Sequence, residues 1–241
     1  MSDLKHHIAT AFDRDLEGIQ AQILKMGGLV EAAIHDSAKS LETRDEELAE
    51  QVRKGDLAID EMEESLNEEA ARVIALRQPA ASDLRVVLSV MRMSANLERI
   101  GDLSKNMAKR TTVLAQMAQI NGSTTALRRM ARDVEMMLKD ALDAYIKRDE
   151  ALARDVIDRD SDVDQMYNTL FREFLTFMLE DPRNITSCMH LHFIAKNTER
   201  MGDHATSIAE QVIYLVTGQL PDEARPKSSS VPAQAGATSG G

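Results

Sequence analysis

Tryptophan is absent from this 241-residue chain, cysteine occurs once, and aromatic residues make up 3% of it. A lone Cys188 excludes an intrachain disulfide and a thiolate zinc cluster, and reads as a small buried apolar residue. Proline is almost as scarce. Of five, only Pro79 and Pro182 precede residue 220, so long stretches run without a helix breaker. No apolar run approaches the roughly 18 residues of a membrane span. The start, MSDLKHHIATAFDRDLEG, lacks the apolar centre of a signal peptide, and a cytoplasmic location is expected. Positive charge is also short. A formal charge of −11 argues against a general nucleic-acid binder, which needs a cationic face. The chain contains no Glu-x-x-His, no phosphate-cradling glycine loop and no Ser- or Cys-based nucleophile constellation. The known routes to a helical di-iron oxidase or a covalent hydrolase are therefore missing, and no enzyme activity is expected.

What remains is rich in Ala, Leu, Met, Glu, Lys, Arg and Gln, the residues that favour helices. Acid is concentrated in Glu42–Glu69, where twelve Asp/Glu face three Lys/Arg. Such a run is ordinarily a solvated helix face, and it is also able to collect cations. From Pro221 the chain reads PDEARPKSSSVPAQAGATSGG, without apolar periodicity. Residues 219–241 are read as a disordered tail outside the fold.

The body repeats itself. RDEELAEQV at 44–52 returns as RDEALARDV at 148–156, 104 positions on, and Pro79 returns as Pro182 after 103. NLERIGD at 96–102 returns as NTERMGD at 197–203, after 101. The drifting offset places small deletions in loops of a duplicated unit. The division is 1–120 for the first unit and 121–218 for the second.

Within each unit the apolar residues follow helical steps. Phe12, Leu16, Ile19, Ile23, Met26, Val30, Ile34, Ala38 and Leu41 mark a first helix, and Leu48, Val52, Ile59, Met62, Leu66, Val73 and Leu76 a second. Asp45 and Asp149 are placed to cap the second helices, and INGST (120–124), with Ser123 or Thr124 as cap, separates the units. A third helix spans about 83–119 and its counterpart about 184–217. The fold expected is all-α: two tandem three-helix bundles, each helix about 45 Å long at 1.5 Å per residue.

The repeated motif is energetically odd. Two acids four residues apart repel by roughly 0.2–0.5 kcal/mol, and the glycine before the second costs about 1 kcal/mol against alanine. The chain keeps this arrangement twice. Val86, Val90, Met93, Leu97, Ile100 and Met107 form the apolar seam of the third helix. A second stripe through Leu84, Leu88, Met91 and Ala95 leads to Glu98 and Asp102, which are therefore expected to face away from their own bundle's core. The second unit repeats this with Glu199 and Asp203, and the second helices add Asp56/Asp60 and Asp160/Asp164. Carboxylate-only pairs suit hard cations such as Mg²⁺, Ca²⁺, Mn²⁺ or ferric iron. A multivalent cation would turn the repulsion into attraction, and Gly101 and Gly202 would admit an ion or a packed partner to the backbone. A single such pair is more often solvated surface; the duplication, glycines included, favours a site. His192 and His204 lie near the second motif, where a lone histidine is usually surface or core. Three classes compete: a carboxylate-metal enzyme with oxidase or phosphatase-like activity, a passive helical scaffold, and a metal-dependent interaction protein.

Over residues 8–217 the chain resembles the PhoU family, regulators of bacterial phosphate uptake and phosphate signalling. The resemblance is carried by QPAASDLR (78–85), NLERIGD, NTERMGD, GDLAID (55–60) and RDSDVD (159–164). It implies tandem three-helix bundles with multinuclear metal clusters, of iron, manganese or magnesium. By matching position the ligands are Glu98/Asp102, Glu199/Asp203, Asp56/Asp60 and Asp160/Asp164. It further implies a cytoplasmic adaptor, peripheral to the membrane through its partners and a candidate homodimer. That adaptor couples the ATPase subunit of the phosphate ABC transporter to the membrane sensor histidine kinase, restraining both when phosphate is plentiful. Asp83, Arg85, Arg99 and Arg200 are candidate partner contacts, with pairing to neighbouring acids the plainer role for the last two. SDLR in the first unit corresponds to NIT in the second, so the halves are not expected to be equivalent towards partners.

Overall fold

A computed structural model describes residues 2–79, 81–120 and 122–221, with the backbone alone described for 2–11 and 13. From residue 222 the expected tail lies outside the described residues. Among the described residues are six long α-helices, one 3-10 turn and no strand. The first half holds α1 (Ser2–Thr43), α2 (Glu46–Arg77) and α3 (Ser82–Leu114). The second holds α4 (Ser123–Lys147), α5 (Glu150–Glu180), the 3-10 turn Pro182–Asn184 and α6 (Ile185–Thr217).

The repeated Arg-Asp-Glu segment shows how local chemistry makes the tight α1–α2 and α4–α5 corners. Arg44 and Arg148 take left-handed backbone, φ +56° and +53°, where glycine is usual. Each is anchored by its side chain: Arg44 donates to Met117 O at 2.9 Å, and the Arg148 guanidinium lies 5.2 Å from the Tyr145 ring centroid. The next residue caps the following helix. Asp45 accepts from Leu48 N at 2.9 Å and Asp149 from Leu152 N at 3.0 Å. The following Glu46 and Glu150 complement the helix dipole in the first turn.

Two boundaries differ from the sequence reading. Gly122 at φ +83°, not Ser123 or Thr124, occupies the cap of α4; Ser123 is buried in the first turn and its Oγ has no hydrogen-bond partner. α3 stops at Leu114 rather than near Gln119, because Gln116 N and Met117 N bond to Val113 O and Leu114 O and tighten the chain into a turn.

Helices α2, α3, α6 and α5 pack side by side in that order, with α1 behind α2 and α3, α4 behind α5 and α6, and α1 against α4. The two bundles share one continuous apolar core. Met107 sits at their junction, fully buried, its sulfur 4.0 Å from Ser37 Oγ on α1 and 3.6 Å from Thr198 Oγ1 on α6. Gly27 of α1 lies directly against Leu142 of α4, where a Cβ would collide. Cys188 is buried as expected, and that burial pushes its thiol pKa up.

Asp149→Ala removes a cap and leaves the Leu152 N–H unsatisfied, and is expected to cost about 1 kcal/mol. Asp149→Asn should retain most of it. Urea midpoints decide; equal midpoints for the alanine variant and the parent would show that the corner does not rely on the cap.

Candidate metal centre

The eight acids fall into two groups, one on each half of the four-helix layer. In the first, α2 supplies Asp56 and Asp60 and α3 supplies Glu98 and Asp102. These acids do not face away from the bundle, as the stripe on α3 suggested; they line the seam between α2 and α3. The reason is that α3 has partners on three sides, α1, α2 and α6. A position about 100° from the main seam is thus the flank on which α2 packs, not open solvent. Asp56 is only 5% exposed.

In the first half the glycine makes this approach possible. A Cβ on Gly101 would stand 3.0 Å from Ile59 Cδ1 and 3.5 Å from Asp56 Oδ1. In the second half a Cβ on Gly202 would stand 3.5 Å from Asp160 Oδ1 and 3.5 Å from Val163 Cγ1. In both halves the first acid of the neighbouring helix lies over the glycine of the motif.

The electrostatics of the first group are those of a site with too much negative charge. Lys105 Nζ bridges Asp56 and Asp102, 2.5 Å from Asp102 Oδ1. Burial works against the Lys105 ammonium, but hydrogen bonds to Asp102 and Asp56 prevail and hold its pKa above the ordinary value. Asp56 Oδ1 remains buried without a partner. Burial raises the Asp60 pKa, with Asp56, Asp102 and Glu63 adding to the rise against Lys105. Burial likewise raises that of Glu98, where Arg99 opposes and Asp102, Asp60 and Glu63 assist. Glu63 was missed in the sequence; its place three residues after Asp60, on the same helix face, was the available signal.

In the second group Asp160 and Asp164 come from α5 and Glu199 and Asp203 from α6. Glu199 is 13% exposed in its side chain, with Lys196 Nζ 2.6 Å away. That lysine donates to Oε1, while Oε2 accepts no well-aligned hydrogen bond. Burial raises the Glu199 pKa; Lys196 lowers it, and Asp203 and Asp164 raise it further. Among the described residues no three His, Cys, Asp or Glu side chains stand close enough to hold one metal ion as placed. The donor chemistry still fits a hard cation: oxygen ligands only, one of them a buried carboxylate oxygen without a donor.

The other candidates separate. The Arg85 guanidinium lies 5.4 Å from the Tyr214 ring centroid and covers Gly218 (φ +82°), so it ties the start of α3 to the end of α6 within the chain. Asp83 is exposed in the first turn of α3. Arg99, 63% exposed, stands 3.5 Å from Glu98 and 3.9 Å from Asp102, and Arg200 is exposed. Both arginines act on His204: burial lowers its pKa, and Arg200 and Arg99 lower it further. His204 Nδ1 meets Asn96 Oδ1 at 2.8 Å, linking the second copy of the motif to the first across α3 and α6. His192 is packed among Tyr167, Phe171 and Phe193 rather than among acids.

Fold and site together define a class, duplicated helical-bundle proteins with a carboxylate seam on each half. The PhoU domain profile matches residues 23–111 and 127–212. The phosphate-specific transport system accessory protein PhoU homologue of Rhizobium meliloti is 45% identical over 92% of this chain and 93% of its own length. The Caulobacter vibrioides homologue of that name is 41% identical over 93% and 97%. The crystal structure of PhoU from Pseudomonas aeruginosa superposes with a TM-score of 0.84 at 41% identity, covering 86% of this chain and all of that one. The phosphate transport system regulatory protein PhoU from Streptococcus pneumoniae gives 0.80 at 30% identity, over 88% and 99%. The chain belongs to the PhoU family.

Two outcomes are expected from this geometry. Gly202→Ala should stabilise by up to about 1 kcal/mol through helix propensity, because its Cβ meets only ordinary contacts. Gly101→Ala should gain less or lose stability, because β-branched Ile59 would have to move. Equal shifts in thermal melts would discount the close packing at Ile59. For pH, the raised folded-state values of Glu98 and Glu199 mean that folding favours their protonated forms. Their contribution is present below the ordinary carboxylate range and lost as pH rises through the folded values. In chelator, stability of the parent relative to Glu98→Gln/Glu199→Gln should therefore decline as pH rises above the ordinary glutamate range of about 4. A pH-independent difference in denaturant midpoints would refute it.

Proposed function

We propose that this protein is a negative regulator of phosphate uptake and phosphate-starvation signalling, working as a cytoplasmic metal-binding adaptor. It meets the ATPase subunit of a phosphate ABC transporter and a membrane sensor histidine kinase, and restrains both when phosphate is plentiful. Its relatives are named as accessory and regulatory proteins of phosphate transport. The observation that carries the metal part is the gathering of buried and half-buried acids at two glycine-backed seams. There Asp56 Oδ1 has no donor, and Asp60, Glu98 and Glu199 all resist ionisation. A bound multivalent cation would supply the missing positive charge and hold α2 to α3 and α5 to α6. Asp56, Asp60, Glu98 and Asp102 would hold one cluster, and Asp160, Asp164, Glu199 and Asp203 the other.

A surface beside the second seam supports an interaction role rather than catalysis. Phe171, Leu175 and Leu179 on α5 and Ile185, Met189 and Phe193 on α6 are all exposed, Leu179 to 86%. In the first half Asn67, Ala71 and Arg92 stand where Phe171, Leu175 and Phe193 stand in the second. The halves thus offer different faces to partners. No described helix is long and apolar enough to cross a membrane, so membrane proximity comes through those partners.

The test is the quadruple amide variant Glu98→Gln/Asp102→Asn/Glu199→Gln/Asp203→Asn. Without cation, relief of repulsion should stabilise it by a few tenths of a kcal/mol per pair. With Mg²⁺ or Mn²⁺ only the parent should gain, as RT ln(1 + [L]/Kd). In phosphate-replete cells the folded variant should lose restraint of a kinase-controlled reporter. A variant that melts no lower than the parent in cation, and keeps the reporter off, would reduce the acids to a solvated face.

A further inference from the structure

The two seams do not carry their lysines alike. Lys105 is one helical turn past the NLERIGD motif on α3, and its ammonium reaches across to Asp56 on α2 as well as back to Asp102. It is the bridge between the acids of two different helices. The residue 101 positions later is Thr206, whose Oγ1 donates to Gly202 O at 2.9 Å, so that position supplies no cation to the second seam. The lysine of the second seam, Lys196, immediately precedes its motif and pairs with Glu199 one turn on along its own helix, at 43% exposure against 23% for Lys105. The buried oxygen without a donor, Asp56 Oδ1, belongs to the carboxylate whose other oxygen Lys105 holds.

We infer that Lys105 is a built-in competitor for the first carboxylate cluster, its ammonium occupying the place between Asp56 and Asp102 that a divalent cation takes only by driving the lysine out to the surface. The inference rests on the cation-binding reading of the acids. An ammonium is a compact point charge on a flexible four-carbon stem, so it can neutralise the acids without cation and swing away when one binds. A second positive centre a few ångströms off would repel a divalent ion strongly in this half-buried setting, so the lysine and the ion exclude each other. Cation occupancy of the first half is thereby coupled to the position of one lysine, and the two halves fill at different cation concentrations.

The experiment uses the full chain with the second cluster silenced by Glu199→Gln/Asp203→Asn, and Mn²⁺ as the probe. Lys105→Thr, which installs the residue found in the second half, and Lys105→Met should bind Mn²⁺ on the order of tenfold tighter than the parent background by calorimetry. Both should melt lower without cation. On the unaltered chain, limited acetylation read by mass spectrometry should label Lys105 slowly in chelator and faster with Mn²⁺, with Lys196 as the internal comparison. If the background binds Mn²⁺, loses it in Asp102→Asn, and yet neither lysine variant binds tighter nor does labelling change, the competitor role is overturned and the cation reading stands. If no background binds Mn²⁺, lysine variants included, both fall. Binding that appears only when Lys105 is replaced supports the inference in its strongest form.

Discussion

The structure depends on acidic side chains held in the seams between packed helices. Asp56 lies over Gly101 and Asp160 over Gly202, so carboxylates from neighbouring helices share a seam where an apolar pair would be easier to bury. Removing the partner of a buried charge typically costs about 3–5 kcal/mol, and Lys105 is the partner that spares Asp56 this cost. On α3 alone, Val90, Met93, Leu97, Ile100 and Met107 are all buried, each contributing about 1.5–3 kcal/mol. That seam alone outweighs the cluster, and it lies on the face next to it. The strained site is tolerable because the most heavily packed helix of its half carries it.

The same reasoning explains why the halves are fused. α3 and α6 carry the motif, and each packs against its own bundle and against the other. Met107 and the His204–Asn96 contact join them at the junction. Each motif helix is therefore fixed from three sides. A displacement at one seam is transmitted to the inter-bundle contact, because close-packed cores have few soft directions. His204 directly follows the second motif and meets the first residue of the first motif, so the two motif helices share a hydrogen bond as well as a core.

Much of this was legible in the residues. Periodicity and the internal repeat together implied all six helices, and the repeated Arg-Asp-Glu gave Asp45 and Asp149 as caps, because capping is a local property of one side chain and the next turn. The repeat of the glycine-acid motif pointed to both seams. What could not be read was anything set by a third helix. Glu98 and Asp102 looked outward on an isolated pair of helices, and only the packing of α2 on that flank turns them into a seam. Ser123 and Thr124 had the right chemistry for a cap, but the left-handed Gly122 took the position. The reach of Lys105 to Asp56, 49 positions away, could not be read from the sequence, and Glu63 was signalled only by its place three residues after Asp60. Arg85 looked available to a partner until the end of α6 was seen beneath it.

The departures from symmetry carry the functional information. After a duplication both copies start with the same groups, so a retained group reports a shared requirement and a changed one reports a division of labour. Retained are the acids and the glycine beneath the first acid of the neighbouring helix. Changed are the lysine position, Lys105 against Thr206, and the flanking surface, Asn67 and Arg92 against Phe171 and Phe193. The two changes lie on opposite halves: the first seam gained an internal cation bridging two helices, the second an exposed aromatic face. A symmetric scaffold with two equal sites would require neither. A protein whose halves answer to different signals, one through the charge state of its seam and the other through the surface it presents, would require both.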